Sequence, residues 1–189
     1  MAIRKIAPIG HPVLRQRARE VSVEELRDPA TQRLIDDLID TMRDAHGAGI
    51  AAPQVHESVR LAVVEVGHNP RYPYKPPIPL TVLVNPVLDP VGEETVEINE
   101  GCLSVPLRGD LVRHVTVRAR YLDRDGRPHE EVKRGLTAGT FQHEVDHLDG
   151  TLIVDRVDPR TLSTWDQFDR HHRAAFVERI SRFTARVGS

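Results

Sequence analysis

Apolar residues recur with helical spacing in the first quarter of the chain. Asp28 and Pro29 are typical of a helix start, and a single apolar stripe follows them. The members of this stripe are Leu34, Ile35, Leu38, Ile39 and Met42. Gly47 lies where a glycine often terminates a helix, so the pattern predicts a helix from Asp28 to that point.

Two further helices are predicted in the second half of the chain. The first covers residues 136–148, and Gly150 is placed to end it. The second runs from about Thr161 to Val187 near the C-terminus. Its apolar stripe consists of Trp165, Phe168, His172, Phe176, Ile180, Phe183 and Val187.

Strands are predicted between these helices. Apolar runs of strand length cover residues 60–66, 80–84, 112–122 and 129–132. The last two runs are joined by the turn sequence Asp123-Arg124-Asp125-Gly126. Strands in the middle and helices at both ends predict an α+β fold. We expect antiparallel or mixed sheets around a central helix, in one domain of residues 1–189.

The segment of residues 67–79 interrupts this pattern. It contains five prolines, which predict an irregular loop, and the sequence assigns it no function.

Composition narrows the class of protein. The chain has 189 residues, of which 39% are hydrophobic and 29% charged, and its formal net charge is −2. These values are ordinary for a globular protein and give no overall signal for DNA or membrane binding. No run approaches the ~20 apolar residues of a membrane span. Residues 1–6 lack the apolar core of a signal peptide, so we expect a cytoplasmic protein.

The predicted central helix carries His143-Glu144-Val145-Asp146-His147, which matches the H-E-x-x-H metal motif. Residues four apart share one face of a helix, so both imidazoles can reach the same ion. Glu144 is rotated by ~100° from His143 and suits a general acid or base acting on activated water. The motif also arises by chance, and a surface helix with two solvated histidines is the alternative.

A catalytic site of this type usually has three protein ligands and one open position. His171 and His172 lie downstream, but His172 is on the apolar stripe and fits a packed side chain better. Upstream, the single cysteine Cys102 can supply a thiolate, and one cysteine with two histidines is a known catalytic set. The alternative for Cys102 is a small buried apolar side chain.

Three motifs together resemble the peptide deformylase family. In chain order they are Gly47-Ala48-Gly49-Ile50-Ala51-Ala52-Pro53-Gln54, Glu100-Gly101-Cys102-Leu103-Ser104 and Gln142-His143-Glu144-Val145-Asp146-His147. Asp146 occupies a position that the motif gives as apolar, as is common in that family. The resemblance implies a metalloenzyme that removes the N-formyl group from the first methionine of newly synthesised bacterial proteins. It implies Fe²⁺ as the native metal, with Zn²⁺, Ni²⁺ or Co²⁺ able to occupy the site.

The resemblance also assigns roles to individual residues. It implies that Cys102, His143 and His147 bind the metal and that Glu144 is the catalytic acid and base. Such a set agrees with formamide hydrolysis, which needs activated water and a proton for the leaving amine.

By the same resemblance, Gln54 and the backbone N–H of Leu103 would bind the developing oxyanion. Ala48 and Gly49 would lie along the bound peptide. Taken alone, Gln54 is better explained as a solvated loop amide. Gly47 and Gly49 are also explained as a helix stop and a turn, which is compatible with the close approach of a peptide backbone.

Other residues of these motifs are candidates for orienting the ligands. Glu100, Gln142 and Asp146 could each hold a metal-bound imidazole, or each could form a surface pair. Arg113 is a candidate partner for Glu100.

Two positions depart from the family pattern. Arg108 is shifted by one position from the arginine that contacts substrate in many bacterial members. Ala138-Gly139-Thr140 replaces larger apolar residues, which indicates a roomier or more polar methionine pocket.

Two other functions remain open at this point. A zinc peptidase would apply the same chemistry to an internal peptide bond, although an upstream cysteine ligand is unusual for that class. A structural metal module would need a fourth protein ligand and would have no use for Glu144 or Gln54.

The C-terminal helix raises a question about partners. Residues 159–189 contain six Arg against two Asp and one Glu, a local charge of +3 in a chain of −2. This excess could dock the protein on the ribosome, where N-formylmethionyl peptides emerge. We favour a helix that packs on the core, because the arginines flank the apolar stripe and form no separate face.

Overall fold

The computed structural model describes residues 2–67 and 74–188. The helices are α1 (Val23–Arg27), α2 (Pro29–Asp44), α3 (Gly135–Leu148), α4 (Trp165–His171) and α5 (Arg173–Val187). The longer strands are β1 (Gly49–Ala51), β2 (Leu61–Val66), β3 (Ile78–Pro90), β4 (Thr95–Cys102), β5 (Val105–His114), β6 (Thr116–Leu122) and β7 (Pro128–Arg134). A two-residue strand, β8 (Ser163–Thr164), precedes α4.

The strands form two antiparallel sheets. One sheet has five strands in the order β1-β2-β3-β6-β7, and the other has three in the order β4-β5-β8. The predicted α+β fold with antiparallel sheets and a central motif helix is confirmed.

Strand β2 is buried on both of its faces. Leu61 and Val63 contribute to a core shared with α2, whereas Ala62 and Val64 contribute to a core shared with α3. Successive strand residues point to opposite faces of a sheet, so a continuous apolar run fits a strand with a helix on each side. This arrangement places α3 between the large sheet and the β4–β5 hairpin.

The start of α2 agrees with its sequence, but its end does not. The side chain of Asp28 accepts a hydrogen bond from the backbone N–H of Ala30 at 2.7 Å. The predicted C-terminal role of Gly47 is wrong, because the residue with left-handed φ is His46 at 52°. Gly47 instead donates its N–H to Met42 O at 2.8 Å.

The middle of the chain has more strands than its sequence predicts. The run at residues 112–122 is divided between β5 and β6, with Val115 between them. Residues 95–102 and 105–111 were not predicted as strands, although they form most of a hairpin. Within the predicted proline loop, residues 68–73 lie outside the described part, and Ile78 and Pro79 already belong to β3.

The predicted C-terminal helix is two helices separated at His172. Phe168, Phe176 and Ile180 are buried together with Ile98 of β4 and Leu136 of α3. The pair α4–α5 therefore packs against the elements that carry the metal motifs. Within residues 2–67 and 74–188, every helix is too short or too polar to cross a bilayer.

A buried arginine fixes the C-terminal end of α3 to the large sheet. The Arg60 side chain donates to Leu148 O and Pro86 O, both at 3.2 Å, and to the Asp149 carboxylate at 2.6 Å. Arg60 is 6% exposed, so water has little access to these carbonyls and could not replace the arginine as their hydrogen-bond donor.

We predict that Arg60→Met lowers the free energy of unfolding by about 2–4 kcal/mol, because it leaves buried acceptors unpaired. Urea titration of the folded protein measures this change. Arg118→Met is the matched control, since Arg118 is half exposed and pairs with Glu130 across the surface. Equal losses in both variants would contradict the proposed clamp.

Candidate active site

Helix α3 directs its metal motif into the protein. Glu144 is 3% exposed and His147 is 1% exposed. The rings of His143 and His147 lie one turn apart, with their centroids separated by 5.0 Å. The alternative of a surface helix with two solvated histidines is therefore wrong.

The β4–β5 hairpin brings a cysteine to the same point. Cys102 is the last residue of β4, and its Sγ lies 3.2 Å from His147 Nε2. Ligand atoms of Cys102, His143 and His147 all lie within 4.8 Å of one another. Ligands of one tetrahedral ion, at ~2.0–2.3 Å from it, are themselves separated by distances in this range. One thiolate and two imidazoles thus fit a single divalent ion.

Glu100 orients the first of these imidazoles. Its Oε2 lies 2.9 Å from His143 Nδ1, which leaves Nε2 as the ring nitrogen available to a metal. Burial alone would raise the pKa of Glu100, but Arg113 and His143 hold it below its usual range. Glu100 is therefore an ionised hydrogen-bond acceptor beside the candidate metal ligand.

A buried arginine links this carboxylate to α3. Arg113 donates to both oxygens of Glu100, at 2.9 and 2.8 Å, and to the Asp146 carboxylate at 2.5 Å. Asp146 therefore acts on the site through Arg113, and it also pairs with Arg156. Gln142 does not reach the ligands. It bonds instead to the backbone N–H and carbonyl of His114, which joins α3 to the end of β5.

His147 is prepared for ligation by its surroundings. Burial lowers the pKa of its imidazole well below the usual value, and the charge of Arg113 acts in the same direction. A neutral imidazole is the form that binds a metal.

Gln54 lies in the turn after β1 with its amide directed at the cysteine. Its Oε1 accepts from the backbone N–H of Ala51 at 2.9 Å, so the NH₂ end faces the site. Nε2 donates to Ser104 Oγ at 3.1 Å and approaches Cys102 Sγ at 3.6 Å. Gln54 is 1% exposed, so a solvated loop amide is the wrong interpretation.

The side chain of Glu144, a residue of α3, lies against β1. Burial raises the pKa of its carboxyl to about 7. Its Oε2 is buried, and no hydrogen-bond partner for it exists within the described residues. A Cβ built on Gly49 would overlap the Glu144 carboxylate, so glycine allows β1 to approach this side chain closely.

These residues open onto one cleft. Ala48 and Gly49, at the start of β1, form one side, and Leu103 of the hairpin turn follows Cys102. Further lining residues are Tyr74, Lys75, Ile98, Asn99, Leu136, Gly139 and Thr140. All the residues that sequence motifs assigned to ligation, proton transfer or substrate contact lie at or around this cleft, His147 immediately behind it.

Arg108 is not among the residues that line the cleft, whereas a residue in direct contact with substrate would be. It is 2% exposed, and its guanidinium lies 4.3 Å from the ring centre of Trp165 and 3.6 Å from that of Phe168. Its Nε donates to Asn99 Oδ1 at 2.5 Å. Arg108 thus supports the cleft wall from behind, between β4 and α4.

Sequence motifs missed three residues of the site. Ser104 was quoted only as part of a motif, yet its hydroxyl accepts from Gln54. Tyr74 and Lys75 lie at the end of the proline-rich segment, where no periodicity indicates direction. The small residues before the ligands have a packing role as well, since a Cβ at Gly139 would lie 3.2 Å from Ile98 Cδ1.

Comparisons with known proteins agree with this site. A family model described as polypeptide deformylase matches residues 3–163. Peptide deformylase 2 from a Nostoc species is 46% identical over 154 residues, which are 81% of this chain and 85% of that protein. A peptide deformylase from Leptospira biflexa is 40% identical over 169 residues, or 88% of this chain and 94% of the relative.

A solved structure extends the likeness to three dimensions. It is a class I type b peptide deformylase from Acinetobacter baumannii bound to Met-Ala-Ser. The two proteins are 40% identical with a TM-score of 0.79, over 82% of this chain and 99% of the other. From the family match and these relatives, this chain belongs to the polypeptide deformylase family of enzymes.

Proposed function

We propose that this chain hydrolyses the N-formyl group from the first methionine of newly synthesised polypeptides. Water and the formamide would give formate and a free amine. The observation that carries this proposal is the buried carboxylate oxygen of Glu144, which has no hydrogen-bond partner in the described part of the chain and lies beside three clustered candidate ligand atoms. The Acinetobacter relative bound to Met-Ala-Ser, a peptide with an unformylated methionine, supports it.

We propose Cys102, His143 and His147 as the ligands of Fe²⁺, with Zn²⁺, Ni²⁺ or Co²⁺ as substitutes. When bound, such an ion lowers the pKa of water and polarises the formyl carbonyl. Glu100 keeps the His143 ring in its ligating orientation through the bond to Nδ1.

Glu144 is proposed to move the proton. With a pKa of about 7, its carboxylate can accept a proton from the attacking water at neutral pH. The same oxygen can then deliver that proton to the departing nitrogen, so that the amine leaves in neutral form.

Gln54 and the hairpin turn are proposed to stabilise charge. The Gln54 NH₂ is already directed at the region of Cys102, and the Leu103 N–H follows that residue in the chain. Donors fixed before the reaction stabilise a developing oxyanion without reorganisation. Strand β1 lies at the edge of its sheet, so the backbone at Ala48 and Gly49 can pair with an extended peptide.

The competing functions make different demands. A peptidase would cleave unblocked peptides, so comparing formyl-Met-Ala-Ser with Met-Ala-Ser-Lys as substrates separates the two activities. A structural metal would gain nothing from a buried carboxyl with a pKa near 7 beside its ligands.

Ribosome docking through α4–α5 stays a prediction. Arg179 and Arg186 pair with Glu97 and Glu94 next to or within β4, which fixes part of the positive charge against the protein itself. The buried faces of Phe168 and Phe176 support the packing role.

We predict that anaerobically purified protein holds stoichiometric Fe²⁺, that Cys102→Ala loses it and that Glu144→Gln keeps it. Glu144→Gln should nevertheless lower kcat by at least ~10², because it removes the proposed proton carrier. Metal analysis and a formate-release assay on the same samples measure both effects. His129→Ala on β7 is the control histidine, since His129 pairs with Asp123 away from the cleft. Near-normal turnover of Glu144→Gln would exclude the assigned role.

For Gln54→Leu we expect kcat to fall by roughly 10²–10³, the usual effect of losing one oxyanion donor. Steady-state kinetics with formyl-Met-Ala-Ser separates kcat from KM. A rise in KM with unchanged kcat would make Gln54 a ground-state binding residue instead.

Gly49→Ala should reduce kcat while leaving the metal in place. The added methyl group would occupy space now filled by the Glu144 carboxylate and displace it from the reacting atoms. Gly67→Ala is the matched control, because a Cβ there meets no atom of residues 2–67 or 74–188 within 4 Å. Equal activities of the two variants would show that Glu144 does not depend on this close approach.

A further inference from the structure

The end of the proline-rich segment gives the cleft a cationic wall. Lys75 lines the cleft beside Ile98 and Leu136, and its side chain is half-buried. The ammonium donates to Thr140 Oγ1 on α3 at 2.8 Å. The cleft therefore contains a hydrogen-bond donor, the Lys75 ammonium, next to apolar side chains.

Tyr74 holds Lys75 in this position. Its ring packs edge-on against Phe176 of α5, with ring centres 5.1 Å apart. Its hydroxyl also interacts with the buried guanidinium of Arg108. Lys75 is therefore held through its neighbour on one side and through Thr140 on the other.

The site of the reaction fixes which part of a substrate meets Lys75. Thr140 precedes Glu144 by four residues, ~6 Å along α3. The substrate nitrogen must lie near Glu144 to receive its proton. The δ atom of a methionine is four bonds from that nitrogen, a comparable span. The methylenes of the first side chain would then contact Leu136 and Ile98, and its δ atom would reach Lys75.

We propose that Lys75 is a specificity-determining residue that lets this enzyme deformylate peptides beginning with formyl-methionine sulfoxide. The proposal rests on the deformylase function given above. Oxidation of methionine places a strongly accepting oxygen on the δ atom. An ammonium donor at that level pairs with it, whereas an apolar wall would leave it buried and unpaired.

The chemistry at the formyl group is the same for both substrates. Water adds to the formyl carbon, the carbon–nitrogen bond breaks, and formate and a free amine leave. The sulfoxide is neither reduced nor further oxidised, so the reaction needs no redox partner.

The test compares formyl-methionine sulfoxide-Ala-Ser with formyl-norleucine-Ala-Ser. Norleucine has the same chain length without an acceptor at the δ position. We expect Lys75→Met to lower the ratio of kcat/KM for the two peptides by about 10–100-fold, the usual loss for a hydrogen bond to a charged group. Lys5→Met is the matched control, because Lys5 is exposed outside the cleft and its loss should leave the ratio unchanged.

An unchanged ratio in Lys75→Met, with norleucine peptide still turned over, would overturn this inference and leave the deformylase function intact. If the unaltered protein hydrolyses neither peptide, the proposed function fails instead. Calorimetric Kd values for methionine sulfoxide-Ala-Ser and norleucine-Ala-Ser then test the pocket directly. A binding preference for the sulfoxide that disappears in Lys75→Met supports the inference, and a preference independent of Lys75 overturns it.

Discussion

The ion pairs of Arg113 are the interaction on which the site depends. One guanidinium, almost without contact to solvent, binds Glu100 on β4 and Asp146 on α3. The candidate metal ligands come from the same two elements, Cys102 from the hairpin and the histidines from the helix. Fixing one element to the other therefore fixes the distance between thiolate and imidazoles. Because unpaired buried charges are strongly destabilising, this network admits one relative position of hairpin and helix.

The site also requires that the backbones of β1 and α3 lie close to neighbouring side chains. Two of these contacts are made at glycines. Gly49 of β1 lies against Glu144 of α3, and Gly139 of α3 lies against Ile98 of β4. A larger residue at Gly49 would displace Glu144, whereas at Gly139 it would press on Ile98. Large side chains are thus absent where the site residues converge, and the large apolar side chains lie in the cores behind them.

Sequence motifs predicted the candidate metal ligands, Glu144 and Gln54 because local chemistry imposes their spacing. The β4–β5 hairpin escaped prediction since Glu100, Arg108 and Arg113 occupy inward positions, which removes the period-two apolar pattern. The break at His172 was missed because the apolar stripe of the C-terminal helices continues through it. No local pattern could place Lys75, whose direction is set by contacts with Thr140 and, through Tyr74, with α5.

The packing of Tyr74 on Phe176 has a consequence for biosynthesis. A ribosome makes the candidate metal ligands and the segment containing Tyr74 before it makes α5, because synthesis runs from the N-terminus. The wall of the cleft can therefore reach its final form only after the last helix has emerged, whereas all three candidate ligands are available earlier. A chain truncated by premature termination would contain the residues of the candidate metal site and still lack the surface that supports Tyr74 and Lys75.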